Sequence, residues 1–315
     1  MKAAIVLGAG QTPVYGDIAQ PEPAPGEVRI TVSAAALSPV VRGRAAGSHY
    51  SASGQQFPFV AGIDGVGQLD DGRRVFFFGS RPPYGSMAEQ AVVAVTQCVA
   101  LPDGIDDTFA AAIANPGTSS WAAYTLRARL KAGETVLVNG ATGASGRLAV
   151  QIARHLGAGK IIATGRNAEV LQSLGADETV LLTQDQPALQ HHFEAIFANG
   201  VDVVVDYLWG PTAEQLLIAG ARAGADGVPI RFVQIGSVGG ADITLPSAVL
   251  RSSAIELTGS GLGGIPFDRL IACVDGLLQA AGPAGLTIAT KTLPLSQVQQ
   301  AWNEPDNGQR TVFTM

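Results

Sequence analysis

The chain has 315 residues, enough for two domains with substantial cores, and its net charge of −6 argues against nucleic acid as a partner. Charged residues make up only 15%, yet no unbroken apolar run reaches the length of about 18 residues that a membrane span needs. Two cysteines, Cys98 and Cys273, and four histidines show no metal or redox spacing, and Ala3 to Gly10 lacks the flanks of a signal peptide. Reduced thiols in a cytoplasmic protein are the expectation.

Ile5-Val-Leu-Gly-Ala-Gly10 imitates the opening of a nucleotide fold, but Pro13, Pro21, Pro23 and Pro25 stand where its helix would run. Proline lacks the amide donor and disfavours helical geometry before it, so a β-hairpin leading to a strand at Val28–Val32 is predicted instead. Further strands follow at Arg74–Phe78 and Ala88–Val95, closed by the turn Leu101-Pro-Asp-Gly104, with one helix after Ser38-Pro39. The first 114 residues therefore read as a β-rich domain.

The strongest signal comes next. An apolar strand, Thr135 to Val138, meets Gly140, Gly143 and Gly146, and a helical pattern follows through Leu148, Ile152 and Leu156. Glycine lets backbone N–H groups approach a pyrophosphate, and the helix start favours its charge. Amides of Gly143, Ala144, Ser145 and Gly146 are the expected donors. A second strand, Lys160 to Thr164, ends in Gly165-Arg166-Asn167 with no acid at its tip. NAD-binding folds carry an Asp or Glu there, whereas an arginine suits a 2′-phosphate. Arg166 and Asn167 thus select NADPH, the competing reading being a solvated arginine on a loop.

The strand–helix rhythm continues. Strands are predicted at Glu178–Leu182, Val201–Asp206, Pro229–Ile235 and Ala254–Thr258, with helices at Pro187–Phe197 and Thr212–Ala221. Six such strands describe a doubly wound sheet, whose ligands sit beyond the carboxyl ends of the strands. After Gly264 come a helix at Phe267–Gln279, a strand at Thr287–Lys291, a helix at Ser296–Trp302 and a last strand at Arg310–Phe313. The expected domains are 1–114, a nucleotide-binding insert at 115–264, and 265–315 completing the first, with a cleft between them.

Four strings carry a family resemblance: Gly62-Ile-Asp-Gly-Val-Gly67, Gly85-Ser-Met-Ala-Glu89, Val136 to Gly146, and Gly308-Gln-Arg-Thr-Val312. Together they span nearly the whole chain. They resemble the medium-chain dehydrogenase/reductase superfamily, in its zinc-independent quinone oxidoreductase branch. The resemblance implies an α/β protein with a GroES-like catalytic domain and a Rossmann domain, and a homodimer built by pairing Rossmann sheets edge to edge. It also implies that Thr118 and Ser119, opening a helix after Pro116-Gly117, hold the nicotinamide end. Ser237, Gly259, Ser260, Gly261, Leu262 and Arg310 would border the nicotinamide and its ribose; turn glycines and a strand charge are the plainer reading of these.

The departures bear on chemistry. Where zinc-dependent members carry Cys, His-Glu and Cys, this chain has Ser38, Ile63 with Asp64, and Asn115. Isoleucine cannot ligate zinc. Quinone reductases of the family often have Asn at the place of Ser38 and Tyr at the place of Gly43. What remains is hydride transfer to a small-molecule acceptor, a quinone or an α,β-unsaturated carbonyl, with hydrogen-bond donors stabilising the developing oxygen charge. Ser38, Arg42 and Tyr50 are the candidate donors, with Tyr84 behind them; Arg42 reads equally as a solvated charge and Tyr50 as loop packing. No tyrosine has a lysine four residues later, which argues against a short-chain dehydrogenase. A redox sensor or scaffold that binds NADPH without turnover stays open as the alternative.

Overall fold

Lys2–Val6 (β1) and Val14–Asp17 (β2) pair antiparallel, so the glycine-bearing N-terminus is the hairpin that its prolines require. Glu27–Ala36 (β3) follows, and Pro39–Ala46 (α1) starts on Ser38, whose Oγ accepts from Val41 N at 3.2 Å. Pro39 sits in the first turn of α1, and Gly47, at φ 72°, ends it in the left-handed conformation. Phe59–Val60 (β4) adds to β1.

Asp64–Leu69 (β5), Arg74–Phe78 (β6), Gln90–Ala94 (β7) and Cys98–Ala100 (β8) then extend the larger sheet. β5 was not among the expected strands, and it carries two glycines, Gly65 and Gly67. Both are needed for close approach: a Cβ on Gly67 would lie 2.3 Å from the Thr31 carbonyl of the neighbouring β3.

Asp107–Ala122 (α2) corrects a second expectation. The helix does not open after Gly117; it begins ten residues earlier, because Asp106 Oδ1 accepts from Thr108 N and Phe109 N at 2.9 and 3.0 Å and an alanine-rich turn follows. Pro116 is carried inside it, and Ser119 Oγ donates to the Pro116 carbonyl at 2.7 Å.

Six parallel strands follow: Thr135–Asn139 (β9), Lys160–Gly165 (β10), Glu178–Leu181 (β11), Val203–Asp206 (β12), Ile230–Gln234 (β13) and Ile255–Gly259 (β14). The helices between them are Ala144–His155 (α3), Ala168–Ser173 (α4), Gln186–Ala198 (α5), Gly210–Ala223 (α6) and Ser247–Arg251 (α7). The sheet order is β11-β10-β9-β12-β13-β14. The winding reverses between β9 and β12, which is where such sheets bind ligands. Leu137, Val204 and Phe232 from the sheet pack with Phe193, Phe197, Leu216 and Leu217 of α5 and α6.

Phe267–Ala281 (α8), Thr290–Pro294 (β15), Val298–Ala301 (α9) and Arg310–Thr314 (β16) complete the chain. The strand expected at Thr287–Lys291 is displaced by three residues, because β15 takes its register from β16, with Thr290 opposite Arg310 and Pro294 opposite Thr314. The larger sheet runs β15-β16-β3-β5-β6-β8, with β7 also on β3. This computed structural model describes residues 1–315 as two units, Met1–Asn115 with Phe267–Met315, and Pro116–Pro266. The fold class is the expected one, a β-rich unit and a doubly wound parallel unit, and no helix is long and apolar enough to cross a membrane.

Candidate nucleotide and catalytic sites

At the reversal point the three glycines do different work. Gly140 turns the chain at φ 87°. A Cβ on Gly146 would lie 2.3 Å from the Gly140 carbonyl, so the third glycine lets α3 pack on the turn. Gly143 is the N-cap of α3 with nothing within 4 Å of its would-be Cβ and no side chain capping the helix. The first turn of α3, Ala144, Ser145 and Gly146, therefore presents backbone donors to whatever enters.

β10 ends against this turn: a Cβ on Gly165 would meet Thr142 Cγ2 at 2.4 Å. Arg166 comes next, exposed and with no partner in the chain. Asn167 is committed differently, its Oδ1 capping α4 by accepting from Val170 N at 3.0 Å. Glu169, the nearest acid, lies within α4.

Of the residues expected at the nicotinamide end, Thr118 and Ser119 lie within α2 rather than at a helix start, so no free amides are offered there. Thr118 is 5% exposed and its Oγ1 has no hydrogen-bond partner, which leaves one buried hydroxyl for a ligand to satisfy. Ser237 is exposed after β13. Gly259, Ser260, Gly261 and Leu262 follow the edge strand β14, where Gly264 N donates to Gly261 O at 3.1 Å. At a spacing of about 4.8 Å per strand, the strands that carry these loops, β13 and β14, stand roughly 10 and 14 Å from β9.

Sequence reasoning missed the buried polar groups under this face. Tyr207 OH meets Ser120 Oγ at 2.7 Å, and burial pushes its hydroxyl up to about 12. Asn139, Thr164 and Asp206 are fully buried at the tips of β9, β10 and β12. The available signal was a polar residue closing each of three apolar strands.

The β-rich unit holds the remaining candidates. Ser38 is 1% exposed and serves as the α1 cap. Arg42 is a tether: Nε donates to Trp302 O at 2.9 Å, Nη2 to Glu304 O at 3.0 Å and Nη1 to Asp306 Oδ1 at 3.2 Å. Tyr50 is 63% exposed and lies tilted against His49 with ring centroids 4.2 Å apart. Arg310 is buried, donating from Nη1 to Leu37 O at 3.2 Å while its Nε stays unpaired. Near it Asp64 is buried with Oδ1 unpaired; burial pushes its carboxyl up to about 7 against the opposing charge of Arg310. At the place of the zinc ligands Ser38 caps α1, Ile63 has no lone pair, and no three His, Cys, Asp or Glu side chains converge.

A family model described as zinc-binding dehydrogenase matches residues 144–276. A probable NADPH-dependent quinone reductase of Emericella nidulans is 29% identical over 99% of both chains. Human quinone oxidoreductase is 30% identical across 76% of this chain and 73% of its own. Among solved structures, the quinone oxidoreductase of Thermus thermophilus, studied also as its complex with NADPH, superposes with a TM-score of 0.81 at 26% identity over the full length of both chains.

Proposed function

The chain belongs to the quinone oxidoreductase branch of the medium-chain dehydrogenase/reductase superfamily, and from that premise we propose that it transfers a hydride from NADPH to a quinone or an α,β-unsaturated carbonyl without a catalytic zinc ion. The observation that carries the reading is Arg166, an exposed cation without a partner at a strand end that abuts the glycine turn and its uncapped helix. Pro116–Pro266 is then the NADP-binding domain, and the two flanking segments form the catalytic domain.

NADPH supplies the hydride when bound. The chain's own residues bind and orient. Amides of Ala144, Ser145 and Gly146 receive the pyrophosphate, with Gly143 leaving the way open. Arg166 pairs with the 2′-phosphate, where its planar fork suits phosphate oxygens. The unpaired Thr118 hydroxyl donates to the nicotinamide end, and the 237 and 259–262 loops border it. Arg42 is left out of the donor set because its guanidinium is spent on residues 302–306. Ser38 keeps its own O–H proton while its oxygen accepts from Val41, and Tyr50 keeps a free phenol, so these two remain donors for the developing oxygen charge. Water provides the final proton.

The protein acts as a two-fold homodimer through β14, the sheet edge, where Glu256 and Leu257 are exposed. NADPH oxidation measured against simple quinones and enones, before and after prolonged chelation, tests the reading. Steady turnover untouched by chelation supports it. Tight NADPH binding with no turnover would favour the sensor, and activity lost on chelation and restored by zinc would overturn the metal-free mechanism.

A further inference from the structure

Asp206 and Asn139 stand opposite each other in the β9–β12 register. Asn139 Nδ2 donates to Asp206 Oδ1 at 2.7 Å, Thr164 Oγ1 donates to Asn139 Oδ1 at 2.7 Å, and Gly140 N donates to Thr164 Oγ1 at 3.2 Å. The same carboxylate receives Leu208 N at 3.0 Å and Trp209 N at 3.1 Å. Burial pushes its pKa up, and the bonds from Leu208, Asn139 and Trp209 oppose that shift. A buried carboxylate survives only with such donors around it.

The segment it holds is strained. Trp209 sits at φ 57° and ψ −156°, a conformation that side chains other than glycine rarely adopt. That corner touches glycine backbone on both flanks. A Cβ on Gly140 would lie 2.9 Å from Leu208 Cγ; one on Gly236 would lie 2.7 Å from the Tyr207 carbonyl. Gly239 N donates to Leu208 O at 2.7 Å, and a Cβ on Gly210 would lie 2.7 Å from Gly239 O. The turn after β9 and the loop after β13 are thus spaced by one short segment with no room for play.

We infer that Asp206 is a positioning residue for the dinucleotide: it anchors Tyr207–Gly210 as a wedge that sets the pyrophosphate turn against the loop carrying Ser237. The inference rests on the NADPH reading of this face. A core carboxylate serving only stability would affect every ligand of the unit alike. A wedge affects ligands that span both loops and spares one that reaches Arg166 alone.

Calorimetric titration of the full chain with NADPH and with adenosine 2′-monophosphate, which lacks the pyrophosphate, separates these. Asp206→Asn keeps the shape and removes the charge. Leu208→Ala leaves the carboxylate and removes the contact with Gly140; Leu208 is only half-buried, so the fold tolerates the change. Each variant should weaken NADPH by about tenfold or more, as expected when hydrogen bonds to a charged group or the geometry they impose are lost, with adenosine 2′-monophosphate unchanged. Equal weakening of both ligands, or NADPH binding at the wild-type level in both variants, would overturn the inference. A wild type that binds adenosine 2′-monophosphate and NADPH equally would overturn it too, whereas a wild type that binds neither removes the NADPH reading itself.

Discussion

Arg42 of α1 grips Asp306, 264 positions further along the chain, with Nη1 3.2 Å from Oδ1 and its other nitrogens on the Trp302 and Glu304 carbonyls. Its side chain is 27% exposed, so the cluster is only partly screened by solvent. Arg42→Ala should therefore cost about 1.5–3 kcal/mol of unfolding free energy, the range for hydrogen bonds to a charged group. Turnover per folded molecule should not change. Denaturant titration beside steady-state kinetics checks this, and a loss of kcat at unaltered stability would return Arg42 to the active site.

Gly143 and Gly146 should respond oppositely to the same methyl group. At Gly146 a Cβ meets the Gly140 carbonyl at 2.3 Å, so Gly146→Ala must push helix from strand and lower Tm. At Gly143 the backbone has an ordinary φ of −77° and open space, so Gly143→Ala should fold normally. Its methyl then stands where the pyrophosphate is proposed, and NADPH affinity should fall with no change in Tm. Unaltered affinity in Gly143→Ala would move the pyrophosphate elsewhere.

Asp64 gives a pH dependence of definite sign. Its carboxyl, ordinarily at 3.8, is raised to about 7 by burial, with Arg310 opposing. The folded state thus holds the proton more tightly than the unfolded chain. The associated stability is fully present below pH 4 and is lost as pH rises through 7, by up to about 4 kcal/mol. Asp64→Asn removes the titration, so its stability should be flatter than wild type between pH 4 and 7. Parallel profiles for the two proteins would show that Arg310 keeps Asp64 charged throughout.

Edge pairing through β14 predicts a dimer by light scattering at micromolar concentration. Leu257→Asp places a charge on an exposed edge residue and should give monomers of unchanged Tm. A wild-type monomer would remove the proposed interface.

The parallel unit was largely legible because both-face burial writes each strand as an apolar run, Val203–Asp206 being the clearest, and glycine spacing marks the turn before α3. β5 was not legible: Gly65 and Gly67 are demanded by the approach of β3, a contact between segments some thirty residues apart that local pattern does not contain. α2 starts earlier than expected for a different reason: capping by Asp106 and burial of Ala110 to Ala114 outweigh the local cost of Pro116. At the site, Arg166 was visible because its position follows from strand length. The roles of Arg42, Asn167 and Ser38 were not, since each depends on which backbone group its side chain meets.

Selection of NADPH through Arg166 underlies the whole functional reading, and the direct measurement is the dissociation constant of NADPH and of NADH for wild type and Arg166→Ala at fixed ionic strength. Wild type should prefer NADPH. Removing the guanidinium should weaken NADPH by roughly ten- to hundredfold, the equivalent of one charge-assisted contact, and leave NADH nearly unchanged. Equal weakening of both cofactors would reduce Arg166 to a supporting surface residue, and a wild-type preference for NADH would contradict the reading at its base.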